Sequence, residues 1–425
     1  MFRTVPHFTS INVANYTRYL TPRSIARQPS PIRALTAIQA QAGPEMISLA
    51  AGAPNPDLFP FEEIQLKVKG SDQIITMQGS TLNKALQYSP TMGFPPLLKH
   101  FQTLQKLEHS YNPELHDIVI TPGSQDGLSK VLEAMVNRGD KVIVDAPIYS
   151  GTLAILKPIG ARLIGIETDE NGMNTDLLER SLKKNGKGAG AKLIVTVSNG
   201  SNPTGGSLSL ERRKRMLEIA DHYDCFIIED DPYYWLSYDE QKIPSLFKLD
   251  NDKHALKTSY QNNAPGGRVL RSDSLSKIVS SGIRLGWQTG PKEIIDRVVK
   301  AQEASSMHTS TLSQALVAEL FENSWDGVEG FREQSDKVVD FYKSRCDAIG
   351  VGSFRGISQK VEKKYLLFTI FFFYSKVTAT SMSLQTIILR SITKIRQIAL
   401  MSTNNNILFY NRFLLSHNLI IDFGA

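Results

Sequence analysis

Only two residues of this chain are cysteine, Cys225 and Cys346, so no disulfide framework holds it, and neither thiol stands with histidines at metal-ligand spacing. A reducing compartment and a site without metal are the expectations. Long apolar runs are missing too: the strongest, over residues 365–374, falls well short of the roughly 18 residues that a helical membrane span needs. No basic stripe interleaved with aromatics and no zinc-finger or RNP-type motif is present, so the net charge of +6 does not argue for nucleic acid. Acidic residues are scarce only at the two ends. None precedes Glu45, although Arg3, Arg18, Arg23, Arg27 and Arg33 all lie in that stretch, and residues 351–425 set nine Lys and Arg against Glu362 and Asp422. Residues 1–350 together carry a net charge of −1, so the chain ahead of the tail is nearly neutral. The acid-free start reads either as a mitochondrial presequence or as a short basic arm that folds over a site, which leaves matrix and cytoplasm both open.

What is present is an alternation of short β-branched runs with longer amphipathic ones, the pattern of a mostly parallel sheet covered by helices in an α/β protein. Strands are expected over 118–120, 141–144, 192–197 and 225–228. A helix is expected after the turn at Thr121-Pro122-Gly123-Ser124-Gln125, with Leu128, Val131, Leu132 and Met135 on one face. Another spans 210–223. Runs over 268–271 and 283–287 flank a loop and should lie side by side. Beyond residue 291 the pattern turns helical, over 291–304, 311–321 and 330–349, as if leading into a smaller C-terminal domain. This divides the chain into an arm over 1–45, a large domain over 46–305, the start of a small domain over 306–350, and a tail over 351–425. The tail shows no strand–turn–helix succession.

Chemistry concentrates around Ser274-Leu275-Ser276-Lys277 and the Arg284 that follows. A lysine forms an imine with an aldehyde only as a neutral amine, and desolvation or a neighbouring cation lowers its pKa to allow this. The serines and Arg284 add donors that suit a phosphate monoester; a serine-rich surface turn is the plain alternative. Asp230, just past a strand in Glu229-Asp230-Asp231-Pro232-Tyr233-Tyr234, stands where ligand-contacting groups fall in open α/β sheets, although Asp231-Pro232 also suits a helix cap. Tyr233 and Asn202 offer a phenol and an amide, with an ordinary Asn-Pro turn as the alternative for the latter. Gly123-Ser124-Gln125 opens a helix whose free N–H groups favour phosphate or merely a cap. Tyr149 follows a strand end, where it stacks on a ring or simply packs.

In combination, Ser124-Gln125, Tyr149, Asn202-Pro203-Thr204-Gly205, Asp230 with Tyr233, Ser274-x-Ser276-Lys277 and Arg284 resemble the fold-type I, class I/II aminotransferases. Ser30-Pro31-Ile32-Arg33, the segment over 48–56, Leu86-Gln87-Tyr88-Ser89-Pro90 and Glu229–Tyr234 resemble the kynurenine/2-aminoadipate aminotransferase subfamily, over residues 14 to 349. The resemblance implies pyridoxal 5′-phosphate as cofactor, anchored on Lys277, with Asp230 at the pyridine nitrogen, Asn202 and Tyr233 at the phenolic oxygen, and Tyr149 on the ring. Ser124, Gln125, Ser274, Ser276 and Arg284 would hold the phosphate, joined by Tyr88 from a second subunit of a homodimer. Arg33 and Gly52, with Asn202, would border the substrate. The implied reaction carries an amino group from an amino acid to a 2-oxo acid by a ping-pong route. The tail departs from the family: the strand bearing a carboxylate-gripping arginine is not recognisable, and Arg390 in Leu389-Arg390-Ser391 only imitates it. The small domain is therefore expected to be incomplete or replaced, with weakened substrate binding or, alternatively, a cofactor-binding chain without activity. A lyase or decarboxylase of the same fold would share the cofactor residues.

Overall fold

The computed structural model describes residues 16–33, 52–185, 190–238, 241–255 and 266–353. The tail with Arg390, residues 48–51 of the segment over 48–56 and the first fifteen residues lie outside the described residues. A two-stranded antiparallel unit, β1 (Glu63–Lys67) and β2 (Ile74–Gln78), precedes an eight-stranded sheet. That sheet comprises β3 (His116–Thr121), β4 (Lys141–Ala146), β5 (Arg162–Asp169), β6 (Gly172–Met173), β7 (Leu193–Val197), β8 (Phe226–Asp230), β9 (Val269–Ser274) and β10 (Gly286–Pro291), in the order β3-β10-β9-β8-β7-β4-β5-β6. Strands β5, β4, β7, β8 and β9 run parallel; β10 runs antiparallel to both its neighbours, β9 and β3.

The sheet is covered on both faces because its central strands are apolar on both. Val142, Val144, Leu193, Val195, Phe226 and Ile228 point to one side, where Leu128, Val131, Leu132 and Met135 of the helix Ser124–Met135 and Ile294, Ile295 and Val298 of the helix Lys292–Ser305 meet them. Their strand neighbours Ile143, Ile194 and Ile227 point to the other side, against Leu178 and Leu182 of Thr175–Asn185 and Met216, Ile219 and Ala220 of Leu210–Tyr223. Period-two alternation in the strands thus meets period-3.6 stripes on the helices. The helix Leu210–Tyr223 falls on the expected residues for local reasons: the Ser209 side chain accepts from Arg212 N–H at its start, and Asp224 ends it in the left-handed region, φ 58°. A third core lies under the helices Pro95–His109, Thr311–Asn323 and Gly327–Ser353, where Phe101 stacks on Trp287 at 4.2 Å between ring centroids. Among the described residues no helix is long and apolar enough to cross a membrane.

Two local expectations need correction. The strand anticipated over 283–287 begins only at Gly286, because Ser281–Ile283 closes as a 3-10 turn and Arg284 takes a left-handed conformation, φ 54°. Asp231-Pro232 caps no α-helix; the chain passes through Tyr233 into a 3-10 turn at Tyr234–Leu236. The parallel strands β4, β7, β8 and β9 all end along one edge of the sheet, at Ala146, Val197, Asp230 and Ser274. Open α/β sheets bind ligands at that edge. Because Phe101 and Trp287 are both fully buried, Phe101→Ala should lower unfolding stability by about 3–5 kcal/mol, read from urea denaturation followed by tryptophan fluorescence.

Candidate active site

Asp230 is the last residue of β8, flanked in register by Val197 of β7 and Ser272 of β9. It is only 5% exposed, and its Oδ1 has no hydrogen-bond partner among the described residues. Burial, reinforced by the negative charge of Asp231 and Asp273 and opposed by Arg271, pushes its carboxyl up to about 7. A buried carboxylate oxygen without a donor is costly, by about 1–3 kcal/mol or more for a charged group. A cationic N–H arriving at Oδ1 would remove that cost.

Three polar groups gather near this carboxylate. Tyr149 precedes the helix Ser150–Ile159, and burial followed by the Asp230 charge raises its hydroxyl pKa. Tyr233 is raised for the same reasons, with a further contribution from Tyr149, while a hydrogen bond from Asn202 acts in the opposite direction. Asn202 sits in a loop closed by Ser201 N–H donating to Gly206 O at 2.8 Å. Gly151 has no room for a side chain, since a Cβ there would run into the Tyr149 ring and the Gln125 amide. Gln125 Nε2 donates to Gly151 O at 3.1 Å.

The cationic end is built at the close of β9. Ser274 pairs with Gly286 across the sheet, and its Oγ accepts from Ser276 N–H at 3.1 Å. Val279 N–H donates to Leu275 O at 2.9 Å, turning the chain tightly through Lys277. Burial, and after it the positive Arg284, lowers the Lys277 pKa, the direction an imine-forming amine requires. Arg284 donates through Nη1 to Ser281 O and through Nη2 to Pro122 O, both at 3.2 Å. Its guanidinium occupies the space where Gly123, at φ 87°, would carry a Cβ, and Gly286 likewise leaves room for Ser124 N. A guanidinium, two serines and the N-terminus of a twelve-residue helix with no side-chain cap therefore converge at Gly123–Ser124. That combination suits a phosphate dianion.

Arg33, Tyr88 and Gly52 complete the expected set. Arg33 is buried, with Nη1 donating to Ser89 O at 3.1 Å and with Nε and Nη2 unpartnered among the described residues. Its pKa is lowered by burial, against the charges of Glu303 and Tyr88. Tyr88 is 53% exposed and meets His308 edge-on at 5.9 Å. Gly52 adopts φ 53° with open space where a side chain would begin.

A layer of buried charge beneath Asp230 was not anticipated. Arg271, fully buried, donates to Asp273 through Nε at 3.0 Å and Nη2 at 2.7 Å, and to Asp231 through Nη1 at 2.9 Å. Glu229 lies 3.4 Å from the same Nη1. Asn199 Nδ2 donates to Asp231 at 2.7 Å, and Arg213 Nη2 holds Asn199 Oδ1 at 2.7 Å. The signal was present: Val-Leu-Arg-Ser-Asp-Ser over β9 places opposite charges two apart, on one face of a wholly buried strand.

These residues fit pyridoxal phosphate, with Asp230 Oδ1 suited to the pyridinium N–H and the Ser124 helix with Arg284 suited to the phosphate. The model for the aminotransferase class I and II family matches residues 44–357. The mitochondrial kynurenine/alpha-aminoadipate aminotransferase of Bos taurus is 40% identical over 363 residues, covering 82% of this chain and 81% of that protein. Its Rattus norvegicus counterpart is 41% identical over 349 residues, covering 79% and 78%. Among solved structures, the aminotransferase Aro8 from Candida albicans superposes with a TM-score of 0.69 at 27% identity, covering 79% of this chain and 75% of that one. The Pyrococcus horikoshii kynurenine aminotransferase, solved with PMP and kynurenine, gives 0.58 at 27% identity, covering 81% and 79%. The chain belongs to the class I and II aminotransferases, within the kynurenine/2-aminoadipate group. Its cofactor is pyridoxal 5′-phosphate.

Folded Asp230 and Asp145, both pushed up to about 7 chiefly by burial, hold protons more tightly than the unfolded chain does at a pKa of about 4. Unfolding therefore releases protons between those values, and the cofactor-free protein loses stability as pH rises from about 4 to 7. Melting temperatures across that range should show a shallower fall for Asp230→Asn than for the parent; an identical slope would place the shift elsewhere.

Proposed function

We propose that this chain transfers an amino group from an aromatic or 2-aminoadipate-type amino acid, such as kynurenine, to 2-oxoglutarate in two half-reactions. The observation that carries the reading is the buried Asp230 oxygen, without a partner among the described residues, at the sheet edge where β9 also ends, three residues before Lys277. The bound cofactor supplies an electron sink that stabilises negative charge at the substrate Cα and carries the amino group between the two substrates. Lys277, whose lowered pKa favours the neutral amine, moves the proton to and from Cα. Asp230 holds a proton at the ring nitrogen. Tyr233 and Asn202 bind the phenolic oxygen, and Tyr149 lies on the ring. Ser124, Gln125, Ser274, Ser276 and Arg284 retain the phosphate. The exposure of Tyr88 supports its reaching the phosphate of a second copy, so that the working unit is a homodimer with shared sites. Arg33 and Gly52 border the substrate. The arginine-rich, acid-free start and the mitochondrial names of the mammalian relatives favour the matrix over the cytoplasm.

A second reading, a cofactor-binding chain with little or no turnover, is favoured by one feature: residues 351–425 contain no recognisable counterpart of the carboxylate-gripping arginine strand. The experiment is a coupled assay of 2-aminoadipate and kynurenine against 2-oxoglutarate, with Lys277→Ala alongside. Activity with parallel double-reciprocal lines, falling at least about a hundredfold in Lys277→Ala, is expected from the first reading. Cofactor retention without turnover would support the second.

A further inference from the structure

Beneath the site runs a chain of ionic contacts that none of the roles above uses. Asp230 is faced by Asp231 beside it, by Asp273 and Arg271 of β9 and by Asp145 at the end of β4, with Tyr149 and Tyr233 completing its titratable surroundings. Three of these four charged neighbours are carboxylates. The fourth, Arg271, is the one that opposes them, and its guanidinium is fixed on every side. Asp273 takes it bidentately, Asp231 takes Nη1, Glu229 stands 3.4 Å away, and Cζ lies 4.9 Å from the centre of the Tyr234 ring. Asp273 is pinned in turn by Gln105 Nε2 at 3.0 Å. Asp231 is also a backbone neighbour, its N–H donating to Ser272 O at 2.9 Å, so it shares the strand geometry that sets Asp230.

Buried ion pairs of this kind are weak sources of stability, because desolvation offsets most of the attraction. Four charged groups shut away from solvent do, however, fix the field at the next carboxylate along the strand. Removing Asp273 would leave the Arg271 charge less compensated, so that Asp230 would become a weaker base. Removing Arg271 would do the reverse.

Building on the proposed role of Asp230, we infer that the Arg271–Asp273 pair is a positioning element that sets how firmly Asp230 holds the proton at the ring nitrogen of the bound cofactor. Neither side chain is a catalytic residue; both act through Asp230. Asp273→Asn keeps the shape and one hydrogen bond to Arg271 while removing the charge. Arg271→Lys keeps the charge while losing the fork.

The test uses the holoenzyme loaded with cofactor whose ring nitrogen is isotopically labelled, its protonation followed by NMR across pH, together with cofactor affinity by equilibrium dialysis. In Asp273→Asn the ring nitrogen should lose its proton at a pH lower by about one unit or more, with affinity weakened about tenfold. Arg271→Lys should titrate within a few tenths of a unit of the parent. If Asp273→Asn does not fold, Asp231→Asn carries the same expectation from the other carboxylate on Arg271. A folded Asp273→Asn that titrates like the parent overturns the inference, as does an Arg271→Lys that titrates like Asp273→Asn. A parent protein that retains no cofactor would instead remove the functional reading on which it rests.

Discussion

A carboxylate oxygen held in the protein interior without a donor is an unfavourable object, and among the described residues this fold is arranged around one. Asp230 stays buried because β7 and β9 clamp it in register and because Asp231, its sequence neighbour, is anchored to Arg271. Strand pairing fixes where the oxygen lies, and the ionic layer beneath fixes its charge environment. A cationic ring nitrogen is the complement that this oxygen lacks. The burial that raises Asp230 therefore also selects the ligand.

The rest of the site follows from where parallel strands end. With β4, β7, β8 and β9 finishing along one edge, their following segments deliver Tyr149, the Asn202 loop, Tyr233 and Lys277 to one region without any long excursion of the chain. The helix Ser124–Met135 starts at the same edge because β3, antiparallel to β10 as β9 is, runs in the same direction as β9 and ends on the same side of the sheet. Glycine at 123 and 286 is required there by space, since Arg284 and the Ser124 backbone fill the positions that side chains would take. One end of the site is thus cationic and the other anionic, matching a molecule with a phosphate at one end and a protonated ring nitrogen at the other.

Much of this was legible in the residues themselves. The central strands and their covering helices announce themselves by periodicity, and the Leu210–Tyr223 helix also by its Ser209 cap. Strands β1, β2, β5 and β6 escaped notice, and in β1 and β5 most residues are exposed or half-buried, which weakens the alternation that marks a strand. The beginning of β10 was misjudged because the apolar Ile283 and Leu285 look like strand on either side of Arg284, whose left-handed backbone breaks the strand. Of the candidate site, the residues that gather at the ends of the parallel strands were readable because their order and spacing are specific. The Arg271 layer was only half legible: the opposite charges two apart on β9 stand in the sequence, but their partners Glu229 and Asp231 depend on which strands become neighbours, and β8 and β9 are separated in the chain by about forty residues.

The central claim is that this edge binds pyridoxal phosphate and uses it to move amino groups. The most direct measurement is a single half-reaction: the full chain, freed of excess cofactor by gel filtration, is mixed with 2-aminoadipate and no acceptor, and the oxo acid formed is counted. The account predicts retained cofactor and a burst of about one oxo acid per chain that stops until 2-oxoglutarate is added. A chain that emerges from the column without cofactor would contradict it.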